Sequence, residues 1–128
     1  MKILFDTHAF LWLDGNISKL SQKAKEICDD ESNTLILSVA SAWEMQIKLQ
    51  IGKLKLKMPL HEMIASQQKI NDVQILSITL HHVYGLAKLP RYHREPFDRL
   101  LVAQAEVENT KILSNDPILS KYTDRVIW

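Results

Sequence analysis

The chain has 128 residues, enough for one domain with a sizeable buried core and short for two. Apolar residues make up 46% and charged residues 24%, which excludes a disordered or collagenous chain. Lys and Arg total 16 against 15 Asp and Glu, a net charge of +1, so contact with nucleic acid would need a local patch rather than overall charge.

Lys2 to Phe5 reads as a short buried strand. Ala9 to Leu13 is apolar and is closed by the turn signal Asp14-Gly15-Asn16. From Ser18 onward, Leu20, Ala24 and Ile27 recur at helical spacing. Thr34 to Val39 is apolar and β-branched enough for a second buried strand. Ser41-Ala42-Trp43-Glu44 has the form of a capping box and opens a helix toward Gln50. Leu54 to Met58 alternates apolar residues with lysine, as a short strand does, until Pro59 stops it. Leu60 to Ile70 is an amphipathic helix, Val73 to Ile78 a third strand, and Leu80 to Lys88 a helix ending at Pro90. A polar loop to Pro96 leads into a helix from Phe97 to Glu108, then strands at Thr110 to Leu113 and Arg125 to Trp128. Strands separated by helices make βαβ units. The predicted fold class is therefore α/β, three layers (α/β/α), with a twisted, mostly parallel sheet of about five strands in one domain over residues 1–128.

The single cysteine, Cys28, excludes an internal disulfide framework and a cysteine-cluster zinc site, and it fits a free thiol in a reducing compartment. The amino terminus lacks a signal-peptide pattern, and no apolar run approaches the roughly 20 residues that cross a bilayer. A soluble, cytoplasmic protein without membrane contact is expected.

The acidic residues fall at telling places. Asp6 directly follows the first strand, and Asp116 lies just beyond the fourth. Glu44 and Asp98 sit in the first turns of their helices. In an open α/β sheet, ligands bind outside the carboxyl ends of the strands, where strand order switches. Each acid has a plainer explanation. Asp116 before Pro117 suits an N-cap, Glu44 could complete a capping box with Ser41, and Asp98 suits the helix dipole. Asp6 is harder to explain this way, because a carboxylate ending an apolar strand is costly to bury unless paired or ligating. Together, carboxylates converging on one cleft would repel one another, and a divalent cation resolves that conflict. Oxygen donors without clustered Cys or His suit Mg²⁺ or Mn²⁺, the arrangement for metal-assisted phosphodiester hydrolysis.

Four segments, in order, carry a resemblance: Phe5-Asp6-Thr7-His8-Ala9-Phe10-Leu11-Trp12; Ser41-Ala42-Trp43-Glu44-Met45-Gln46-Ile47-Lys48 continued by Gly52-Lys53-Leu54-Lys55-Leu56; Pro96-Phe97-Asp98-Arg99 through Ala105; and Leu113-Ser114-Asn115-Asp116-Pro117 with Tyr122 and Trp128. They resemble the PIN-domain family, in the branch of VapC-type toxin ribonucleases. The resemblance implies an RNA endonuclease with an RNA substrate, a Mg²⁺ or Mn²⁺ site, a homodimer and a cognate antitoxin. It further implies that Asp6, Glu44, Asp98 and Asp116 hold the metal, with Asp116 able to orient the attacking water, and that the products carry a 3′-hydroxyl and a 5′-phosphate. Two positions depart from the usual pattern. Glu95 stands where Asp is common and is given no metal role, and Ser114-Asn115 stands where Thr-Ala or similar is common.

Thr7 and Ser114 are candidates to hydrogen-bond a carboxylate or a phosphate, with turn chemistry as the alternative. Arg94 and Arg99 could contact RNA phosphate or a neighbouring acid, and Arg99 could equally lie on a solvated face. Lys48, Lys53, Lys55 and Lys57 could form a phosphate-contacting stripe or a charged edge protecting a short strand. His81-His82 are expected in solvent, because adjacent helical residues do not face one site. Trp12 and Trp43 read as core or interface aromatics, and apolar surface on the first helices would suit a dimer face. Phosphoacceptor folds fit poorly: position 8 is His where a dehalogenase-like phosphatase needs a second Asp, and the third strand ends Ser77-Ile78-Thr79 without the aspartate of a receiver. A non-catalytic PIN-like module that binds RNA or protein is the remaining alternative.

Overall fold

The computed structural model describes residues 1–90 and 95–128. Five short strands, β1 (Lys2–Phe5), β2 (Thr34–Ser38), β3 (Gln74–Leu76), β4 (Lys111–Leu113) and β5 (Val126–Ile127), form one sheet in the order β3-β2-β1-β4-β5. Every pairing is parallel, with Ile3 opposite both Leu35 and Lys111. The chain therefore builds outward from β1 to β3 and then returns to the other side of β1, which places the switch in strand order between β1 and β4.

Alternation along the strands sends side chains to both faces. Ile3, Phe5, Leu35, Leu37 and Leu113 point to one face, where they pack with helices α1 (Thr7–Gly15), α2 (Gln22–Asp29), α3 (Val39–Gln50) and α4 (Leu60–Ile70). Leu4, Ile36 and Ile112 point to the other, covered by α6 (Pro96–Glu108) and the four-residue α7 (Leu119–Tyr122). Both faces are dry, which is why the central strands read as continuous apolar runs. The expected three-layer α/β/α class is the one observed. Among the described residues, no helix is long and apolar enough to cross a membrane.

Several local expectations change. Helix α3 begins at Val39, directly off β2, because Ser38 is its N-cap and Ser38 Oγ accepts from the Ala40 N–H at 3.0 Å. The Ser41–Glu44 capping box is not formed, and the buried Ser41 hydroxyl has no hydrogen-bond partner among the described residues. Ser41→Ala is thus expected to leave stability unchanged or raise it by up to about 1 kcal/mol. Ser38→Ala should cost about 1–2 kcal/mol, because Ser38 Oγ also donates to Gln104 Oε1 on α6. Chemical denaturation of the two variants distinguishes the caps.

Leu54 to Met58 forms no strand. Its alternation arises because Leu54 and Leu56 tuck against the first-face core while Lys53, Lys55 and Lys57 stay exposed. The turn into it passes through Gly52 at φ 76°, a left-handed conformation that costs glycine little. The helix expected over Leu80–Lys88 is an α-helix only from Leu80 to Gly85 (α5), then a 3₁₀ turn over Leu86–Lys88. The α7 turn was not anticipated. His82 is fully buried rather than solvated: its Nδ1 accepts from the Thr79 N–H and its Nε2 donates to Glu108 Oε2 at 2.9 Å, stapling α5 to α6. Trp43 is 56% exposed and cannot be a core residue, whereas Trp12 stacks edge-on with the terminal Trp128.

Cys28 is a free thiol, half-buried on α2. Burial pushes its pKa up to about 11, and the neighbouring Asp29 charge adds to the effect. Thiolate is then scarce at neutral pH, so alkylation by iodoacetamide should be slow at pH 7.5 and rise about tenfold per pH unit through pH 10. A rate that levels off near pH 9 would contradict the burial.

Candidate active site

At the carboxyl edge of β1 the chain turns straight into α1, and Asp6 is the hinge residue. Its Oδ1 accepts from the Ala9 N–H at 2.7 Å, capping α1, while its own N–H donates to the Leu113 carbonyl of β4. Its Oδ2 accepts from the Ser114 hydroxyl, which follows β4. Asp6 is therefore locked across the switch point from both sides and is only 6% exposed. Burial raises its pKa; hydrogen bonds from Ser114 and Ala9 and the nearby His8 oppose this, and the Asp116 carboxylate adds to it. The physical content is that an ionised carboxylate at this point lacks enough compensating positive charge.

Asp116 reaches the same edge from the loop after β4. Its Oδ1 accepts from the Ile118 N–H at 2.9 Å, so it closes the turn at Pro117 rather than capping a long helix. Its own N–H donates to Ser114 Oγ. Glu44, on the second turn of α3, is 7% exposed, and both its oxygens are engaged. Thr7 Oγ1 donates to Oε1 at 2.6 Å, and Lys48 Nζ lies 2.7 Å from Oε2. Asp98 stands in the first turn of α6, whose start is set by Pro96 at the first helical position.

These four acids line one cleft of about 210 Å³. Thr7, His8, Lys48 and Glu95 line it as well. Of these, the sequence gives His8 and Glu95 no site role, and Lys48 only a place in a candidate phosphate-contacting stripe. Lys48 had a usable signal, since it lies four positions after Glu44 on the same helical face. Glu95, the fifth carboxylate, and His8 are brought in by the fold alone. Arg99 is not in the cleft: its Nη2 donates to the Leu86 carbonyl at 3.2 Å, so it braces α6 against the α5 end. Arg94 lies outside the described residues. Larger hollows of about 670 and 870 Å³ exist, but one lies at the amino ends of β2 and β3 and the other is an apolar groove between α1 and α4. Neither sits at the switch point.

The donors suit a hard divalent cation: several carboxylates, a threonine and a serine hydroxyl, and no cysteine. The buried, charge-short Asp6 is the observation that a cation would answer. Among the described residues, no three His, Cys, Asp or Glu side chains are yet gathered into a metal-holding group. Hydrogen bonds to Thr7, Ser114 and Lys48 hold the carboxylates in their present positions.

Two solved structures are similar in fold. VapBC2 from Rickettsia felis, bound to a DNA fragment from their promoter, aligns with a TM-score of 0.72 at 14% identity, covering 99% of this chain and 96% of that one. A toxin-antitoxin complex from Klebsiella pneumoniae aligns with a TM-score of 0.62 at 15% identity, covering 98% and 96%. No curated protein matches the chain in sequence. The family model of the PIN domain matches residues 3–124, from within β1 through β4, and takes in every acid of the cleft. With a parallel sheet switching direction beside an acid-lined cleft, and that match over nearly its whole length, the chain belongs to the PIN domain family.

Proposed function

We propose that this protein is a Mg²⁺- or Mn²⁺-dependent endoribonuclease, the toxin of a toxin–antitoxin pair. The observation that carries the reading is the convergence of Asp6, Glu44, Asp98 and Asp116 on one cleft at the switch point, with Asp6 buried and short of positive charge. Those four residues would hold the metal. When bound, the cation supplies charge neutralisation at the scissile phosphate and acidifies water in its shell.

The chain's own groups do the positioning. Ser114 fixes the carboxylate of Asp6, and Thr7 that of Glu44. Asp116, tethered through Ser114 and the Pro117 turn, would orient a water for attack on phosphorus. The antitoxin partner is supported by the two similar structures, both of which are toxin-antitoxin assemblies. The exposed Leu80, Val83 and Tyr84 of α5 offer an apolar face for a homodimer.

The chemistry of the cut ends tests this reading. Attack by water on phosphorus with departure of the 3′-oxygen leaves a 5′-phosphate and a 3′-hydroxyl, so fragments should ligate directly to adaptors without prior phosphorylation. Fragments ending in 2′,3′-cyclic phosphate would show attack by the RNA's own hydroxyl and overturn the metal-water mechanism. Folded protein that binds RNA without cutting it would instead support the binding-module alternative.

A further inference from the structure

The cleft holds five carboxylates, and Lys48 is the one lysine or arginine among the described residues that lines it. Its amine sits 2.7 Å from Glu44 Oε2 while Thr7 donates to Oε1, so each oxygen of Glu44 already has a partner and the lysine supplies the positive charge. Glu44 is buried, yet the Lys48 side chain is 35% exposed and lies on the solvent side of the pair. Its root is fixed: the Lys48 carbonyl accepts from the N–H groups of both Lys53 and Leu54. Only the flexible four-carbon stem is then free to carry the charge elsewhere.

We propose that Lys48 is a displaceable counter-ion: it neutralises Glu44 until a divalent cation enters the cleft, and its freed amine then contacts the RNA phosphate backbone. This rests on the metal-dependent reading above. The physics is competition. A divalent cation and an ammonium cannot share one carboxylate without mutual repulsion, so metal binding and the Lys48–Glu44 pair oppose each other through a coupling that is reciprocal. The pair has the helical i, i+4 spacing with Glu first, the favourable order, so it forms readily without metal. Once displaced, the amine has the exposed Lys53, Lys55 and Lys57 as its nearest basic neighbours along the chain.

The experiment measures Mn²⁺ binding by titration calorimetry for the wild type and for Lys48→Met. It also measures acylation of each lysine by mass spectrometry, with and without Mn²⁺. Lys48→Met should bind Mn²⁺ about fivefold more tightly or better. In the wild type, Mn²⁺ should raise Lys48 acylation several-fold while Lys53, Lys55 and Lys57 stay constant. For RNA cleavage, the Lys48→Met variant should show a raised KM whose dependence on log salt is shallower by about 0.7, and Lys48→Arg should restore the slope. Absence of Mn²⁺ binding by the wild type would overturn the metal-dependent reading itself. If the wild type binds Mn²⁺ but Lys48→Met binds it no more tightly, the counter-ion role alone is overturned. Tighter binding without a change in Lys48 acylation would show simple repulsion and overturn the displacement. An unchanged salt slope would overturn the phosphate contact.

Discussion

Asp6→Asn is expected to lower RNA cleavage by at least about 10²-fold while leaving the melting temperature unchanged or raised. Asparagine keeps the oxygen that caps α1 at the Ala9 N–H, and its amide can donate to Ser114 Oγ in place of accepting from it. What it removes is a buried negative charge facing Asp116. A residue that serves mainly as structure loses stability when changed; one that concentrates charge for a ligand gains or holds it. Cleavage kinetics and thermal melting on the same preparation therefore separate the two roles. A clear drop in melting temperature without metal would show that Asp6 is a structural residue, while full retention of cleavage would remove it from the site. Asp6→Ala is the harsher contrast, since it also deletes the helix cap and should cost about 1 kcal/mol.

Phe5→Ala is expected to cost about 3–5 kcal/mol. Phe5 is fully buried in the first-face core and meets Phe10 edge-on, with ring centroids 5.9 Å apart. Against a usual total of about 5–15 kcal/mol, that loss leaves a marginal fold. The position also bears on chemistry, because Phe5 is the last residue of β1 and its packing fixes where Asp6 begins. Urea denaturation of wild type and variant measures the difference. A cost below about 1 kcal/mol would mean that the core collapses around the cavity and that β1 is less rigidly seated than the packing indicates.

The strands were legible in the sequence wherever both faces are dry, because β1 and β2 are continuous apolar runs and nothing competes with that pattern. The acids were legible for a related reason: Asp6 interrupts an apolar stretch where an unpaired charge is expensive, and Asp116 follows another such stretch. Harder to read were features set by partners distant in sequence. His82 looked solvated beside His81, yet Glu108, 26 positions away, receives its ring nitrogen. Ser41 and Glu44 have the spacing of a capping box, but Ser38 captures the helix start three residues earlier and frees Glu44 for the cleft. Leu54 to Met58 alternates like a strand, but alternation records only which side chains are wet, and an extended segment lying on a helical layer produces it too. Glu95 and His8 enter the cleft through the fold, with no spacing to announce them.

If the acid cleft cuts RNA with a divalent cation, removing either the cation or Asp6 must stop the reaction. A mixed cellular RNA pool incubated with purified protein in Mg²⁺, in Mn²⁺ and in EDTA, beside Asp6→Asn, tests this in one experiment. Discrete fragments are expected in the metal lanes and intact RNA in the EDTA and Asp6→Asn lanes. Fragments that persist in EDTA, or that Asp6→Asn produces as fast as the wild type, would contradict it.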